Sequence, residues 1–395
     1  MKFSKIGVAL LIGVAGCGGQ EAKPFPNAAS VRQLGGSTIT SEEIDATVTR
    51  MMRAAKVTGI GLAIFNDDRT VYLKAYGHRN LKKNLPLTEN SVMSAASFSK
   101  VASAYMVMQL VQEGALNLDK PISEYLPKPL PEYSDYKDLA SDGRWKKITA
   151  RMLLDHTSGF PNWRFFEDDK KLHIHFEPGS RFAYSGEGID LLQLVVEKVT
   201  KKGMGDLMRE RVFEPLGMTR TSMTWKLGFE SDHAEGYDEQ ENSLGPQRRL
   251  RADAAGSMLT TPRDFARFMQ AVMRGERLSK ETRETMLSPQ VPILSKHEFP
   301  PLSAESTEEN KPIRLSYGLA WGLYWTPYGK AFFKEGHDEG WRNYTVYFDE
   351  AKTGMLIMTN SSNGEGIYKE LLETLLKNTY TPIEWEGFTP YKQQQ

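Results

Sequence analysis

Two hairpin-like stretches stand at opposite ends of the 395-residue chain, and they restrict the possible folds more than any other feature. Near the start, "TGIGLAIFNDDRTVYLKAYG" places two runs of strand formers around the turn residues Asn66-Asp67-Asp68-Arg69. Near the end, "RNYTVYFDEAKTGMLIMTNSS" repeats the pattern, with Lys352-Thr353-Gly354 in the turn, and the helical stretch "GIYKELLETLLKN" follows. Between them, from about 101 to 285, helical periods dominate. The fold class expected is therefore α/β (α+β): an antiparallel sheet built from both chain ends, flanked by helices, with a mostly helical insertion lobe. Thr40 and Glu43 have capping-box spacing before Ile44, Val48 and Met51, so the ordered domain is expected to begin at about residue 41 and run to 380. Residues 381–395 are expected to be a C-terminal tail, and 288–312, rich in Pro, Ser and Glu, a long surface loop.

The first residues read as an export signal. "MKFSKIGVALLIGVAGC" has Lys2 and Lys5, an uncharged stretch from Ile6 to Gly16, and then Cys17, the one cysteine of the chain. The uncharged stretch is shorter than the ~20 residues a membrane-spanning helix needs. "VAGC" resembles the bacterial lipobox, which implies a signal peptide over 1–16 and lipidation at Cys17. Residues 17–40, with Gly, Pro and small polar residues and no periodicity, are expected to be a flexible tether. The localisation implied is the bacterial cell envelope, outside the cytoplasm, and by resemblance to Gram-negative lipoproteins the outer membrane.

Charge excludes one class of partner. Lysines plus arginines equal aspartates plus glutamates at 50 each, so no global field draws the chain to nucleic acid. No phosphate-binding Gly-Lys-Ser/Thr loop and no Gly-x-Ser-x-Gly elbow occurs, and no cofactor is expected. His173 and His175 alternate like a metal pair but have no third ligand at a recognised spacing, so no metal is expected either.

Chemistry concentrates in three places. In "AASFSKVASAYMVMQLVQEG", Val101, Ala104, Tyr105, Met108 and Val111 share a helix face, so Ser97 sits at the helix start with Lys100 one turn on. A serine hydroxyl needs an adjacent base, and a desolvated lysine can accept its proton. Ser134 and Lys137 repeat the spacing without an apolar stripe. In "EPGSRFAYSGEGIDLLQLVVEKVT", Tyr184 precedes a helix and could relay protons if a cationic site lowers its pKa. In "AFFKEGHDEGW", a strand delivers Lys334, and Gly336 lets a substrate approach the strand edge. Trp163, Phe165 and Phe166 fit either an acyl-pocket wall or a lobe core.

With Ser-x-x-Lys, Tyr-x-(Asn) and Lys-x-Gly in that order, the chain resembles the serine β-lactamase and penicillin-binding-protein superfamily, in the branch of class C β-lactamases, serine esterases and D-amino-acid peptidases. The resemblance covers about residues 41–380, including "LLDHTSGFPNW" and "AAGSMLTTPRDFARFM". It implies a serine hydrolase in which Ser97 is acylated, Lys100 activates it, Tyr184 passes a proton to the leaving group, and Lys334 supports Tyr184. It further implies an oxyanion hole from the N–H groups of Ser97 and His337 beside Gly336, and a buried structural turn at His156. Two positions depart from the pattern: Glu335 replaces the Thr/Ser after Lys334, and Gly186 replaces the family's Asn. The second favours an esterase or peptidase over an efficient, dedicated β-lactamase, and both keep a sensor reading open. The rival reading is a penicillin- or peptidoglycan-binding sensor with negligible turnover.

Overall fold

The computed structural model describes residue 25 and residues 27–391; the expected signal peptide over 1–16 and the expected lipidation site Cys17 lie outside the described residues. Nine strands form one antiparallel sheet. In chain order they are β1 (Gly59–Asn66), β2 (Arg69–Asn80), β3 (Leu85–Pro86), β4 (Val291–Pro292), β5 (Ser316–Tyr317), β6 (Gly322–Thr326), β7 (Gly329–Asp338), β8 (Trp341–Phe348) and β9 (Thr353–Thr359). Their order across the sheet is β4-β5-β6-β7-β8-β9-β1-β2-β3, so the two ends of the chain meet where β9 pairs with β1. The first hairpin turns at Asp67 and Asp68, both with positive φ as a tight two-residue turn demands. The second turns over residues 349–352, two to three residues earlier than expected: Thr353 and Gly354 already belong to β9.

Strands β1, β8 and β9 are buried along their whole length because both faces of the sheet are covered. Along β1 the side chains alternate: Ile60, Leu62 and Ile64 join the core on one face, Ala63 and Phe65 the core on the other. The first core is closed by α1 (Ser41–Ala55), which starts at a Thr40–Glu43 capping box, and by the helical residues 368–376. The second is closed by the insertion lobe, whose main helices are α2 (Phe98–Gln112), α3 (Gly186–Thr200) and α4 (Pro262–Arg274).

Three sequence expectations need correction. Residues 30–40 are not tether: Ser30–Arg32 pairs with Thr38–Thr40, and Val31 and Leu34 are buried in the sheet-side core. Residues 381–391 are not a free tail, because Trp385 is buried against Phe182 and Phe333. Single anchoring side chains hold both segments, and these leave no periodic signature. The expected one-faced helix α2 is instead buried on all sides from Phe98 to Leu110, since it runs between the sheet and the rest of the lobe.

Candidate active site

Ser97 occupies the N-cap of α2. The residue before it, Ala96, is buried with φ of 47°, a left-handed conformation that costs an alanine on the order of 1 kcal/mol and turns the chain sharply into the helix. Buried polar groups hold this elbow. Ser99 Oγ donates to Ala96 O (2.7 Å) and accepts from Met258 N (2.9 Å), and Ala95 N donates to Met258 O (2.9 Å). From the sheet, Asn343 Nδ2 donates to Ser94 O (3.1 Å). Gly336 faces the elbow directly: a Cβ there would stand 2.8 Å from Ala95 O. The glycine is thus required by the packing of β7 on the elbow, beyond any need of a substrate.

Lys100 lies one turn into α2, 1% exposed. Its Nζ donates to Ser97 Oγ (3.0 Å) and to Ala255 O (2.8 Å). Burial, reinforced by the Lys334 ammonium, pulls its pKa down to about 8. Tyr184, at the entrance to α3, lies under both ammonium groups, 5.0 Å from Lys100 Nζ and 4.7 Å from Lys334 Nζ to the ring centroid. Lys334 Nζ donates to Tyr184 Oη (3.1 Å) and forms an ion pair with Glu335. The expected lowering of the tyrosine pKa does not occur. Burial, with Glu335 and Glu298 nearby, pushes it well above the ordinary value, so Tyr184 is a neutral phenol.

Lys334, and not the His337 imidazole, reaches Tyr184. The His337 ring is 56% exposed and points to Glu365, at 3.4 Å. Its backbone belongs to the part of β7 that has a free edge: β6 pairs with β7 only as far as Phe333, whereas β8 continues to Asp338. His156 is fully buried with φ of 59°, accepts from Ser185 N at Nδ1 (3.2 Å), and packs 4.4 Å from the Tyr184 ring. Burial and the two lysines hold its imidazole neutral. The second serine–lysine pair falls in a short 3-10 helix, Ser134–Leu139, with Ser134 Oγ donating to Asp135. No hydrogen bond joins Ser134 to Lys137 among the described residues. His173 and His175 pair separately, with Asp169 and Glu167.

A cleft of about 1400 Å³ opens above Ser97. Trp163, Phe165 and Phe166 line it; the last two are largely exposed and form wall only, whereas Trp163 also packs against the lobe core. The missing Asn has a steric cause, since a Cβ on Gly186 would lie 2.4 Å from the Trp163 ring. The same loop supplies another amide, as Asn162 lines the cleft and its Oδ1 accepts from Gly186 N (3.1 Å). Arg164 fastens the loop to α3 by a fork on Glu187, with Nε and Nη2 at 2.9 and 2.5 Å.

The Beta-lactamase family model matches residues 44–376. The chain belongs to the Beta-lactamase family. Within the serine β-lactamase and penicillin-binding-protein superfamily it is similar to Protein flp of Staphylococcus aureus, 25% identical over 250 residues, which are 58% of this chain and 48% of that protein. It is also similar to a Beta-lactamase of Yersinia enterocolitica, 25% identical over 248 residues and 60% of each chain. The chain spans about half the length of the first of these relatives. Among solved structures, the octameric penicillin-binding protein homologue from Pyrococcus abyssi superimposes with a TM-score of 0.69 at 24% identity, covering 90% of this chain and 81% of that one. D-alanine carboxypeptidase AmpC from Burkholderia cenocepacia gives 0.65 at 20% identity, covering 82% and 95%. These likenesses establish the mixed α/β fold with its large antiparallel sheet.

Sequence reasoning missed several residues that the fold brings to the cleft. Glu298 and Phe299 arrive from the expected surface loop, and Glu386 and Phe388 from the expected tail. Glu298 N donates to Trp385 O (2.8 Å), which ties the two segments together. Nothing in their local sequence marks them; the nearest signal was the acidic substitution at Glu335.

Proposed function

We propose that this Beta-lactamase-family chain is a cofactor-independent serine hydrolase acting through an acyl-enzyme on Ser97, with an ester, amide or peptide as substrate. The observation that carries the reading is the buried Lys100, 3.0 Å from Ser97 Oγ, with its pKa brought down to about 8. A base so poised keeps an appreciable neutral fraction at physiological pH and faces the nucleophile. Lys100 Nζ takes the Ser97 proton as Oγ bonds to the carbonyl carbon. The oxyanion forms against the N–H groups of Ser97 and His337. As the bond to the leaving group breaks, the neutral Tyr184 hydroxyl gives its proton to the departing atom and is reprotonated from Lys100 across the Lys334-supported phenol. Water then adds to the acyl-enzyme by the same relay and releases the acid.

The Gly186–Trp163 contact and Glu335 support an esterase or peptidase over a dedicated β-lactamase. The test is rapid quench with p-nitrophenyl acetate followed by intact mass. One acetyl group on the wild type, none on Ser97→Ala, and an unchanged adduct on Ser134→Ala are expected, with multiple turnovers. An adduct that forms and does not turn over would favour the sensor reading.

A further inference from the structure

On the side of the cleft where Tyr184 and Lys334 stand, three glutamates converge from separate parts of the chain. Glu335 follows Lys334 on β7, Glu298 comes from the 288–312 loop, and Glu386 ends the helical turn Ile383–Glu386. All three line the cleft, yet they are only 6%, 1% and 6% exposed. Glu335 is held by Lys334. Glu298 Oε1 has no hydrogen-bond partner. The Glu386 carboxyl has the Tyr344 hydroxyl as its polar neighbour. Phe299 stands beside them, 44% exposed, with its ring edge-on to Tyr184 at 5.4 Å.

Two lysines, Lys334 and Lys100, therefore face three buried carboxyl groups, and Lys334 is already paired with Glu335. Burial, and next the charge of Glu335, push both Glu298 and Glu386 well above the ordinary carboxylate range. Without a further positive charge in the pocket these groups hold protons. The imbalance extends along the cleft, where acidic side chains outnumber lysines and arginines more than two to one, although the whole chain is neutral. Arg248 and Arg249 at the mouth are already paired, with Glu230 and Asp338.

We infer that this end of the cleft is a subsite for a cationic leaving group: the substrate is an ester or amide whose departing alcohol or amine carries an ammonium group, received by Glu298 and Glu335 against the Phe299 ring. The inference rests on the reading of Ser97 as the acylated residue and names which half of the substrate carries the charge. Tyr184 is the proton donor to the leaving group in that reading, and the carboxyls surround Tyr184, so the charge they recognise belongs to the departing half. An ammonium there is stabilised by carboxylates in a site of low dielectric and by the aromatic face. A carboxylate in the same place would meet the Glu335 charge and would find Lys334 already paired. The reaction itself is unchanged: the C–O or C–N bond breaks, Ser97 Oγ forms the new bond, and the ammonium leaves intact.

The experiment compares acetate esters of three alcohols of matched size at pH 7.5: choline, its uncharged isostere 3,3-dimethylbutanol, and a hydroxy acid with a carboxylate at the equivalent position. The expected order of kcat/KM is cationic, neutral, anionic, with at least a tenfold preference for choline over the neutral isostere. In Glu298→Gln the cationic-to-neutral ratio should fall at least fivefold. A measurement independent of any variant is inhibition of neutral-ester hydrolysis by tetramethylammonium, which should be competitive in the wild type. Equal rates on the cationic and neutral esters, a preference for the anionic ester, an unmoved ratio in Glu298→Gln, or no competition by tetramethylammonium would each overturn the subsite while a fluorophosphonate still labels Ser97. Absence of both hydrolysis and labelling would overturn the hydrolase reading, and the subsite with it.

Discussion

Lys100 is a cation placed where a cation is unwelcome, and its two roles pull in opposite directions. Its folded pKa of about 8 lies below the 10.5 of a free lysine, so the folded state releases its proton first. The sign follows from linkage: the burial cost is fully present below pH 8 and fades as pH rises toward 10.5. Lys100→Met should accordingly raise the unfolding free energy at pH 7 by roughly 1–3 kcal/mol in denaturant titrations, while abolishing acylation. In the wild type the acylation rate should climb with pH through a midpoint near 8, because the neutral amine is the acting base. A pH-independent acylation rate between 6 and 9 would contradict that role. The third motif makes a second comparison at this scale. Lys334→Ala removes the only cation bonded to Tyr184 Oη among the described residues and should slow acylation by about 10²–10³, whereas His337→Ala keeps its N–H and should cost far less. Stopped-flow acylation of the two variants decides between them, and the reverse ranking would give the cationic role to the His337 imidazole in place of Lys334.

At the scale of elements, the cleft is shaped by how the 162–166 loop lies on α3. Trp163 fills the space beside Gly186, and the Arg164–Glu187 fork holds it there. Gly186→Asn, which restores the family's residue, should lower stability by about 1–3 kcal/mol through overpacking and should not create β-lactamase activity. Combining it with Trp163→Ala should recover most of that loss in thermal denaturation; additive losses would refute the steric account. The sequence was readable here in proportion to periodicity. The two hairpins, the α1 capping box and the helices at Ser97 and Tyr184 were all legible, because alternation and helical spacing repeat over many residues. The elements that deliver Glu298 and Glu386 were not. They are fixed by isolated anchors such as Trp385, and two-residue strands such as β4 and β5 have no pattern to read. The environment of Tyr184 was misjudged for a related reason: its complete burial, and then the glutamates beside it, are assembled from chain positions far apart.

For the whole molecule, the proposed catalytic groups are drawn from both sides of one boundary. Ser97, Lys100 and Tyr184 belong to the insertion lobe, and Lys334 to the sheet, so the cleft exists only once the two are docked. The anchoring proposal belongs to this scale as well, although residues 1–17 lie outside the described structure. Cys17→Ser should leave the protein soluble or unprocessed on fractionation, and unchanged membrane recovery and processing would refute a lipid anchor.

The pairing of β9 with β1 also has a consequence in time. Asn66 and Thr353, which bond to each other at the end of that pairing, are 287 positions apart. At about 5–20 residues per second, a ribosome spends roughly 15–60 seconds between them. Throughout that interval the finished β1–β2 hairpin exposes an apolar strand edge whose permanent neighbour has not been made. The nascent β1–β2 hairpin therefore keeps that edge open, whatever the speed of the helices, until β9 has been synthesised.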